Sequence, residues 1–115
     1  MPPAPPPAFD GPGDAWSPEH LLLAAVEACF FFTLHAVARA SRVELAVVEM
    51  SATGTVDQHD GRVRFTEMVL RPRLKAGPGA DRARIMRVVE KSERACLVSA
   101  SLSTPIRLEP EILAA

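Results

Sequence analysis

The sequence predicts an α+β domain in which two helices pack against one face of an antiparallel sheet. Three patterns lead to this class. Residues 21–38 are almost entirely apolar, residues 43–75 alternate between apolar and polar positions around an Asp-Gly pair, and residues 81–95 combine an apolar stripe with many charges. The first and third patterns are typical of helices, and the second is typical of a β-hairpin.

Length and composition describe one globular domain of 115 residues, with 48% hydrophobic residues, 23% charged residues and a net charge of −1. This charge balance gives no reason to expect nucleic acid or an anionic membrane as a partner. No basic start followed by an apolar run precedes the domain, so we expect a cytoplasmic protein. Its two cysteines are then more readily explained by chemistry or burial than by a structural disulfide.

The start of the chain differs from the rest. Residues 1–14 consist mostly of proline, glycine and alanine, which predicts an extended, flexible arm. Residues 15–115 are then expected to form the single domain.

The apolar stretch predicts a helix over about residues 17–41. Ser17 can cap the free backbone N–H groups, Pro18 suits the first helical position, and Glu19 is favoured by the helix dipole. From Leu21 to Ala38 the polar residues are Glu27, Thr33 and His35. A helix that is apolar on every side is normally surrounded by other elements. We expect a buried central helix, and its charges within so short a span argue against a transmembrane segment.

The alternating region predicts a β-hairpin. Its apolar phase changes at Val47 and Val48, which indicates a β-bulge in the first strand. Asp60-Gly61 is a two-residue turn signal, and the returning strand should run from Arg62 to about Lys75. Pro72 lies within that strand and predicts an edge position or a bulge.

A second helix and a closing strand complete the pattern. Helical spacing of apolar residues extends from Asp81 to Ala95, with Cys96 at the C-terminal end. Residues 102–109 then place apolar side chains on one side, as a closing strand would.

The cysteines admit three interpretations from the residues alone. Cys29 and Cys96 could simply pack as small hydrophobic groups. They could form a thiol peroxidase pair, in which one thiolate is oxidised to a sulfenic acid and the other thiol condenses with it. A zinc site is the third use, but the cysteines and histidines show none of the usual ligand spacings. The candidate histidine ligands are His20, His35 and His59.

Two segments resemble the osmotically inducible protein C and organic hydroperoxide resistance (OsmC/Ohr) family. The first, SPEHLLLAA at residues 17–25 followed by ACF at 28–30, is similar to the family's central-helix motif. The second, ACLVSASL at residues 95–102, is similar to the segment that follows the family's second helix. Their order, with a hairpin between them and a strand after them, extends the resemblance over roughly residues 16–110.

The resemblance implies an intertwined OsmC-like homodimer with active sites at the subunit interface. It implies thiol-dependent reduction of organic, lipid-type hydroperoxides by Cys29 as the peroxidatic thiol and Cys96 as the resolving thiol. Glu19 would match a family glutamate that orients an activating arginine. No bound metal or flavin is implied, and the external reductant would be a dithiol of the lipoyl type, free or carried on a protein.

The chain also departs from the family pattern. A proline-rich arm stands where the family has N-terminal strands, no arginine precedes Arg39, and Leu97 replaces a usual proline. Arg39, Arg42 or an arginine of the partner subunit could replace the activating guanidinium. The alternative function is a degenerate OsmC-like dimer that lacks peroxidase activity and binds a small apolar ligand at the subunit interface.

Helix geometry constrains Glu19. It lies roughly 15 Å of helical rise from Cys29, too far for contact along a straight helix. We therefore expect either a break in the helix or a role for Glu19 in the partner's site.

Overall fold

The α+β class is confirmed by the computed structural model, which describes residues 17–113. The arm predicted for residues 1–14 lies outside this range, so the domain boundary stays a prediction. In chain order the elements are α1 (Pro18–Ala40), β1 (Leu45–His59), β2 (Arg62–Ala76), α2 (Arg82–Ala95), α3 (Leu97–Ala100), β3 (Ile106–Leu108) and β4 (Glu111–Leu113).

Helix α1 begins and ends close to its predicted limits. The Ser17 hydroxyl accepts a hydrogen bond from the backbone N–H of His20 at 3.0 Å, which caps the helix start. Residues at every fourth position then form one buried stripe, because this spacing keeps side chains on the same side of a helix. The stripe consists of Val26, Phe30, Leu34 and Ala38.

The opposite side of α1 is apolar but uncovered within one chain. Phe32 is 71% exposed and Leu21 is 41% exposed. The helix is long and apolar enough to cross a membrane by length and composition, yet its buried stripe belongs to the core of the domain. We call the uncovered side the open face; it comprises Leu21, Ala25, Ala28, Phe32 and Ala36.

Strands β1 and β2 form the predicted antiparallel hairpin. Asp60 and Gly61 make the two-residue turn with φ values of 53° and 77°, the left-handed conformation that such a turn requires. The pairing register shifts between Val47 and Glu49, which confirms the predicted bulge. A second shift beside Thr55 was not predicted.

Pro72 was predicted to mark an edge position or a bulge. The edge position is wrong, because β2 is the central strand. The register shift between Val47 and Glu49, however, lies opposite the two residues that follow Pro72. The N–H of Met68 donates to the carbonyl of Pro105, and the carbonyl of Leu70 accepts from the N–H of Glu109. Backbone groups two residues apart in a strand point to the same side. The nitrogen of Pro72 therefore faces the interruption between β3 and β4, where its missing N–H removes no ladder bond.

The third row of the sheet consists of β3 and β4, which both pair with β2 in parallel. The predicted closing strand is thus divided and lies farther along the chain than expected. β3 and β4 run parallel to β2 because the chain first returns across the sheet through α2 and α3 and only then pairs with β2. The short helix α3 had no signal in the apolar pattern.

One face of the sheet packs against the helices. Met68, Leu70 and Leu74 of β2 are fully or almost fully buried beneath the stripe of α1. Helix α2 completes this core with Ile85 and Val89, which share one face of that helix.

The other face of the sheet is polar. Arg71 pairs with Glu109 at 2.9 Å, and Arg73 pairs with Glu49 at 3.0 Å and with Glu111 at 3.2 Å. These side chains are substantially exposed, so each pair adds little to stability. The charged pairs keep this face polar, in contrast to the open face of α1.

Truncation of Phe30 tests the importance of the α1 stripe. Phe30→Ala should lower the free energy of unfolding by about 3–5 kcal/mol, because it leaves a cavity at the centre of the core. Val63→Ala is the control, since Val63 is 67% exposed on the hairpin. Its effect should stay below about 1 kcal/mol. Urea denaturation followed by circular dichroism measures both, and equal losses would contradict this account of the core.

Candidate active site

The structure brings the two predicted cysteines into contact. Cys29 lies in α1 and is partly exposed, whereas Cys96 lies between α2 and α3 and is fully buried. Each side chain shifts the pKa of the other, so the two sulfurs lie near each other, and both are free thiols. The thiols are therefore close enough for one to attack the other after oxidation.

Local geometry explains how Cys96 reaches this position. The chain leaves the helical conformation at Cys96, which has φ −69° and ψ 113° and both ends α2 and begins α3. The first turn of α3 follows at once. It directs the backbone N–H groups of Leu97 and Val98 toward the sulfur of Cys29.

These contacts lower the pKa of the Cys29 thiol below its ordinary value. The largest cause is the hydrogen bond from the backbone N–H of Val98 to the sulfur. Partial burial opposes it, and the side chains of Cys96 and Thr33 and the N–H of Leu97 add to the lowering. Hydrogen bonds to the charged form favour that form, so Cys29 is the thiol more disposed to ionise.

Cys96 behaves in the opposite way. Burial raises the pKa of its thiol, and the neighbouring Cys29 raises it further. The Ser99 hydroxyl donates a hydrogen bond to the Cys96 sulfur at 3.3 Å, which acts against that increase without reversing it. The site thus holds one thiol that favours the nucleophilic thiolate and one that favours the neutral form.

No arginine within residues 17–113 contributes to the pKa of Cys29. Arg39 lies roughly 15 Å along α1 from Cys29, and Arg42 follows the end of that helix. The proposed replacement of the activating guanidinium by Arg39 or Arg42 is therefore not seen within one chain. Supply of an arginine by a partner subunit stays a prediction.

Glu19 does not join the cysteines within one chain. Helix α1 is continuous from Pro18 to Ala40, so the break that would have brought Glu19 to Cys29 is absent there. The Oε2 atom of Glu19 is nevertheless buried and has no hydrogen-bond partner in the described part of the chain. A role for this carboxylate in the partner's site stays a prediction.

Sequence reasoning missed several donors at the site. Thr33 follows Cys29 by one helical turn, and this spacing alone could have indicated a contact. Ser99 belongs to the segment that carries the family resemblance, but no role was attached to it. The contributions of Leu97 and Val98 come from backbone N–H groups, so their side chains gave no signal.

The histidines have other neighbours. A ring nitrogen of His20 is 2.8 Å from the Ser17 hydroxyl, and the His35 ring packs edge-on against Phe31 with centroids 4.6 Å apart. Across residues 17–113, no three metal-ligating side chains gather at one point.

A shallow apolar cavity of about 360 Å³ lies between α1 and β1, beside the open face. Burial raises the pKa of its one carboxyl group, that of Glu27. Cys29 is not among its lining residues, so this cavity and the thiol pair are separate features. The lining residues are Ala24, Glu27, Ala28, Phe31, Phe32 and Met50.

Comparison with known proteins gives one family and one fold. A family model described as OsmC-like protein matches residues 11–111. The uncharacterized protein YmaD of Bacillus subtilis (strain 168) is 28% identical over 109 residues, which cover 92% of this chain and 73% of that protein.

Solved structures agree with this fold. An OsmC-like protein of unknown function from Vibrio cholerae superposes with a TM-score of 0.79 at 18% identity, covering 87% of this chain and 67% of that one. The organic hydroperoxide resistance protein OsmC from Legionella pneumophila gives 0.71 at 21% identity, covering 95% and 77%. An organic hydroperoxide resistance protein from Elizabethkingia anophelis gives 0.70 at 22% identity, covering 96% and 78%.

The opposite pKa shifts predict selective alkylation. With iodoacetamide near neutral pH, Cys29 should react about tenfold or more faster than Cys96, because only the thiolate is nucleophilic and Cys29 is also more accessible. Its rate should stay high to a lower pH than that of an ordinary thiol. Peptide mass spectrometry measures both rates, and unfolding in urea should make them equal. Faster modification of Cys96 in the folded protein would contradict this assignment.

Proposed function

The chain belongs to the OsmC-like protein family, and on this basis we propose that it is a thiol-dependent peroxidase that reduces organic, lipid-type hydroperoxides to alcohols. The observation that carries the proposal is the contact between Cys29 and Cys96, in which the partly exposed thiol has the lowered pKa and the buried thiol the raised one. A peroxidatic thiol must be ionised and accessible, whereas a resolving thiol needs neither property before the first step.

In the first step the Cys29 thiolate attacks the terminal oxygen of the hydroperoxide. The S–O bond forms as the O–O bond breaks, so the sulfur is oxidised to a sulfenic acid and the alkoxide leaves. The alkoxide takes a proton from solvent and becomes the alcohol. The backbone N–H groups of Leu97 and Val98 assist by stabilising the attacking thiolate.

In the second step Cys96 attacks the sulfenic sulfur of Cys29. An S–S bond forms, hydroxide leaves and takes up the Cys96 proton as water, and the pair becomes a disulfide. An external dithiol of the lipoyl type then restores both thiols by disulfide exchange and is itself oxidised. The cycle requires no metal, flavin or other bound cofactor.

The solved relatives support the choice of substrate class. The proteins from Legionella pneumophila and Elizabethkingia anophelis are named organic hydroperoxide resistance proteins. The apolar surroundings of the site favour the same class. Leu97, whose backbone N–H acts on the Cys29 sulfur, has an apolar side chain that is 73% exposed.

We further propose that the protein works as a homodimer. The open face of α1 is a continuous apolar surface on the helix that carries Cys29, and exposed apolar patches of this kind mark interaction surfaces. A second copy seated there would shield Phe32 from water. It could also supply a charged partner for the buried Oε2 atom of Glu19.

A peroxidase assay tests the proposed function. With a lipoyl-type dithiol as reductant, the protein should consume cumene hydroperoxide faster than hydrogen peroxide. Cys29→Ser should abolish turnover. Cys96→Ser should still form the sulfenic acid, which dimedone traps and mass spectrometry detects.

Circular dichroism provides the folding control for each variant. If the folded wild-type protein does not consume cumene hydroperoxide, the peroxidase proposal is contradicted. It would favour the alternative, an OsmC-like dimer that binds a small apolar ligand without chemistry.

The homodimer is tested by placing a charge on the open face. Phe32→Asp should convert the dimer to a monomer, because an unpaired carboxylate at the centre of an apolar interface is costly to desolvate. Val63→Asp is the matched control on an exposed apolar residue of the hairpin. Light scattering after gel filtration measures the mass. A wild-type monomer, or a dimer unaffected by Phe32→Asp, would contradict the proposed interface.

A further inference from the structure

The buried position of Cys96 is unfavourable for the chemistry that a disulfide requires. Cys96 is 0% exposed, whereas Cys29 is partly exposed. In thiol–disulfide chemistry the attacking and the leaving sulfur both carry negative charge, because the thiolate is the reactive form. Charge on a buried group is costly unless a hydrogen bond accompanies it. The Cys96 sulfur therefore requires a donor that is already in place.

Ser99 supplies such a donor. Its hydroxyl lies 3.3 Å from the Cys96 sulfur and donates a hydrogen bond to it. Serine side chains in helical turns commonly donate to the carbonyl group four residues earlier instead. Ser101, two residues farther along, does this with its hydroxyl 2.9 Å from the carbonyl oxygen of Leu97. The two hydroxyls thus have different acceptors, and that of Ser99 is the reactive sulfur.

Backbone hydrogen bonds hold Ser99 in this position. The N–H of Ala100 donates to the carbonyl of Cys96 at 3.0 Å, which closes the turn that contains Ser99. The N–H of Leu102 donates to the carbonyl of Ser99 at 3.1 Å, which fixes its backbone from the other side. Ser99 is also partly buried and has a short side chain. Its hydroxyl is therefore oriented before the reaction, as a preorganised donor should be.

Charge develops on the Cys96 sulfur in both directions of the redox cycle. When the disulfide closes, Cys96 attacks the sulfenic sulfur of Cys29, and its proton leaves with the expelled hydroxide as water. When the disulfide is reduced, the external dithiol attacks the accessible sulfur, that of Cys29. The bond between the two cysteines breaks, its electron pair stays on Cys96, and the resulting thiolate takes up a proton from solvent. The second thiol of the reductant then displaces Cys29.

We propose that the Ser99 hydroxyl assists the resolving thiol in both directions, by donating a hydrogen bond to the Cys96 sulfur as that sulfur becomes negatively charged. Hydrogen bonds to ionised groups are stronger than those between neutral groups, so this bond stabilises the transition state more than either end state. The inference deepens the proposed peroxidase function and rests on it for its biological meaning. The exchange itself can be followed without a peroxide.

The test treats the full-length, reduced protein near neutral pH with dithiobis-nitrobenzoate, a disulfide that releases a coloured thiol. Cys29 should react first and release one coloured thiol, and Cys96 should then release a second by closing the disulfide. Ser99→Ala should leave the first phase unchanged and slow the second about threefold. A hydrogen bond to a full ion is worth about tenfold, and about half of that charge is present in the transition state.

The reverse reaction and the equilibrium separate this role from a structural one. Reduction of the preformed disulfide by dithiothreitol should also be about threefold slower in Ser99→Ala. The redox potential of the pair, measured by equilibration with reduced and oxidised dithiothreitol, should stay the same, because Cys96 is uncharged in both end states. A changed potential would indicate altered packing and overturn the proposal. So would an absent second phase in the wild type, or equal second phases in the wild type and Ser99→Ala.

Two further variants isolate the hydroxyl. Ser99→Thr keeps the donor and should restore most of the rate of the second phase; failure to do so would contradict the proposal. Ser101→Ala is the matched control, since it removes a serine hydroxyl from the end of the same turn and should leave both phases unchanged. Alanine is favourable in helical turns, so circular dichroism and thermal unfolding should be alike for all variants.

The outcome for this inference is separable from that for the peroxidase function. A slower second phase in Ser99→Ala, together with no consumption of cumene hydroperoxide by the wild type, would uphold the role of Ser99 in the thiol pair and reject the peroxidase function. Peroxide turnover by the wild type, together with unchanged phases in Ser99→Ala, would reject the role of Ser99 alone.

Discussion

Packing of the α1 stripe against the buried face of β2 determines where the other parts of the molecule lie. Phe30 and Leu34 of the stripe are completely buried, as are Leu70 and Leu74 of the strand. Because successive helical residues are rotated by about 100°, fixing this stripe also fixes its neighbours. Cys29 emerges at the margin of the core beside α3, and the open face points away from the sheet. The reactive thiol and the uncovered surface are consequences of the same packing.

Much of the fold could be predicted because its signals are local. The cap at Ser17, the turn at Asp60-Gly61 and the phase change at Val48 each depend on a few adjacent residues, and each appears in the structure. The edge position predicted for Pro72 was wrong. A central strand accommodates this proline because the neighbouring row of the sheet is interrupted between β3 and β4, which lie far along the chain. The parallel direction of β3 and β4 likewise depends on the connection through α2 and α3, and no local sequence pattern indicates it.

The site was only partly accessible to sequence reasoning, for a similar reason. Motif resemblance identified Cys29 and Cys96, and the structure places them together. The groups that distinguish the two thiols are backbone N–H groups and hydroxyls, whose effect depends on contacts of a few ångströms between separate elements. Glu19 shows the remaining limit. Its place in α1 was predictable, but the burial of its unpartnered Oε2 atom was not, because burial depends on packing between elements.

The interruption of the sheet opposite Pro72 affects how the molecule opens. Each strand of the hairpin has fifteen residues, whereas β3 and β4 have three each. Local unfolding begins where the fewest backbone hydrogen bonds must break, so the C-terminal segment is the part of the sheet that separates most easily. Helix α3 and Cys96 stand just before this segment. The buried thiol is thus joined to the least firmly paired part of the sheet, whereas Cys29 lies on the helix that packs against its central strand.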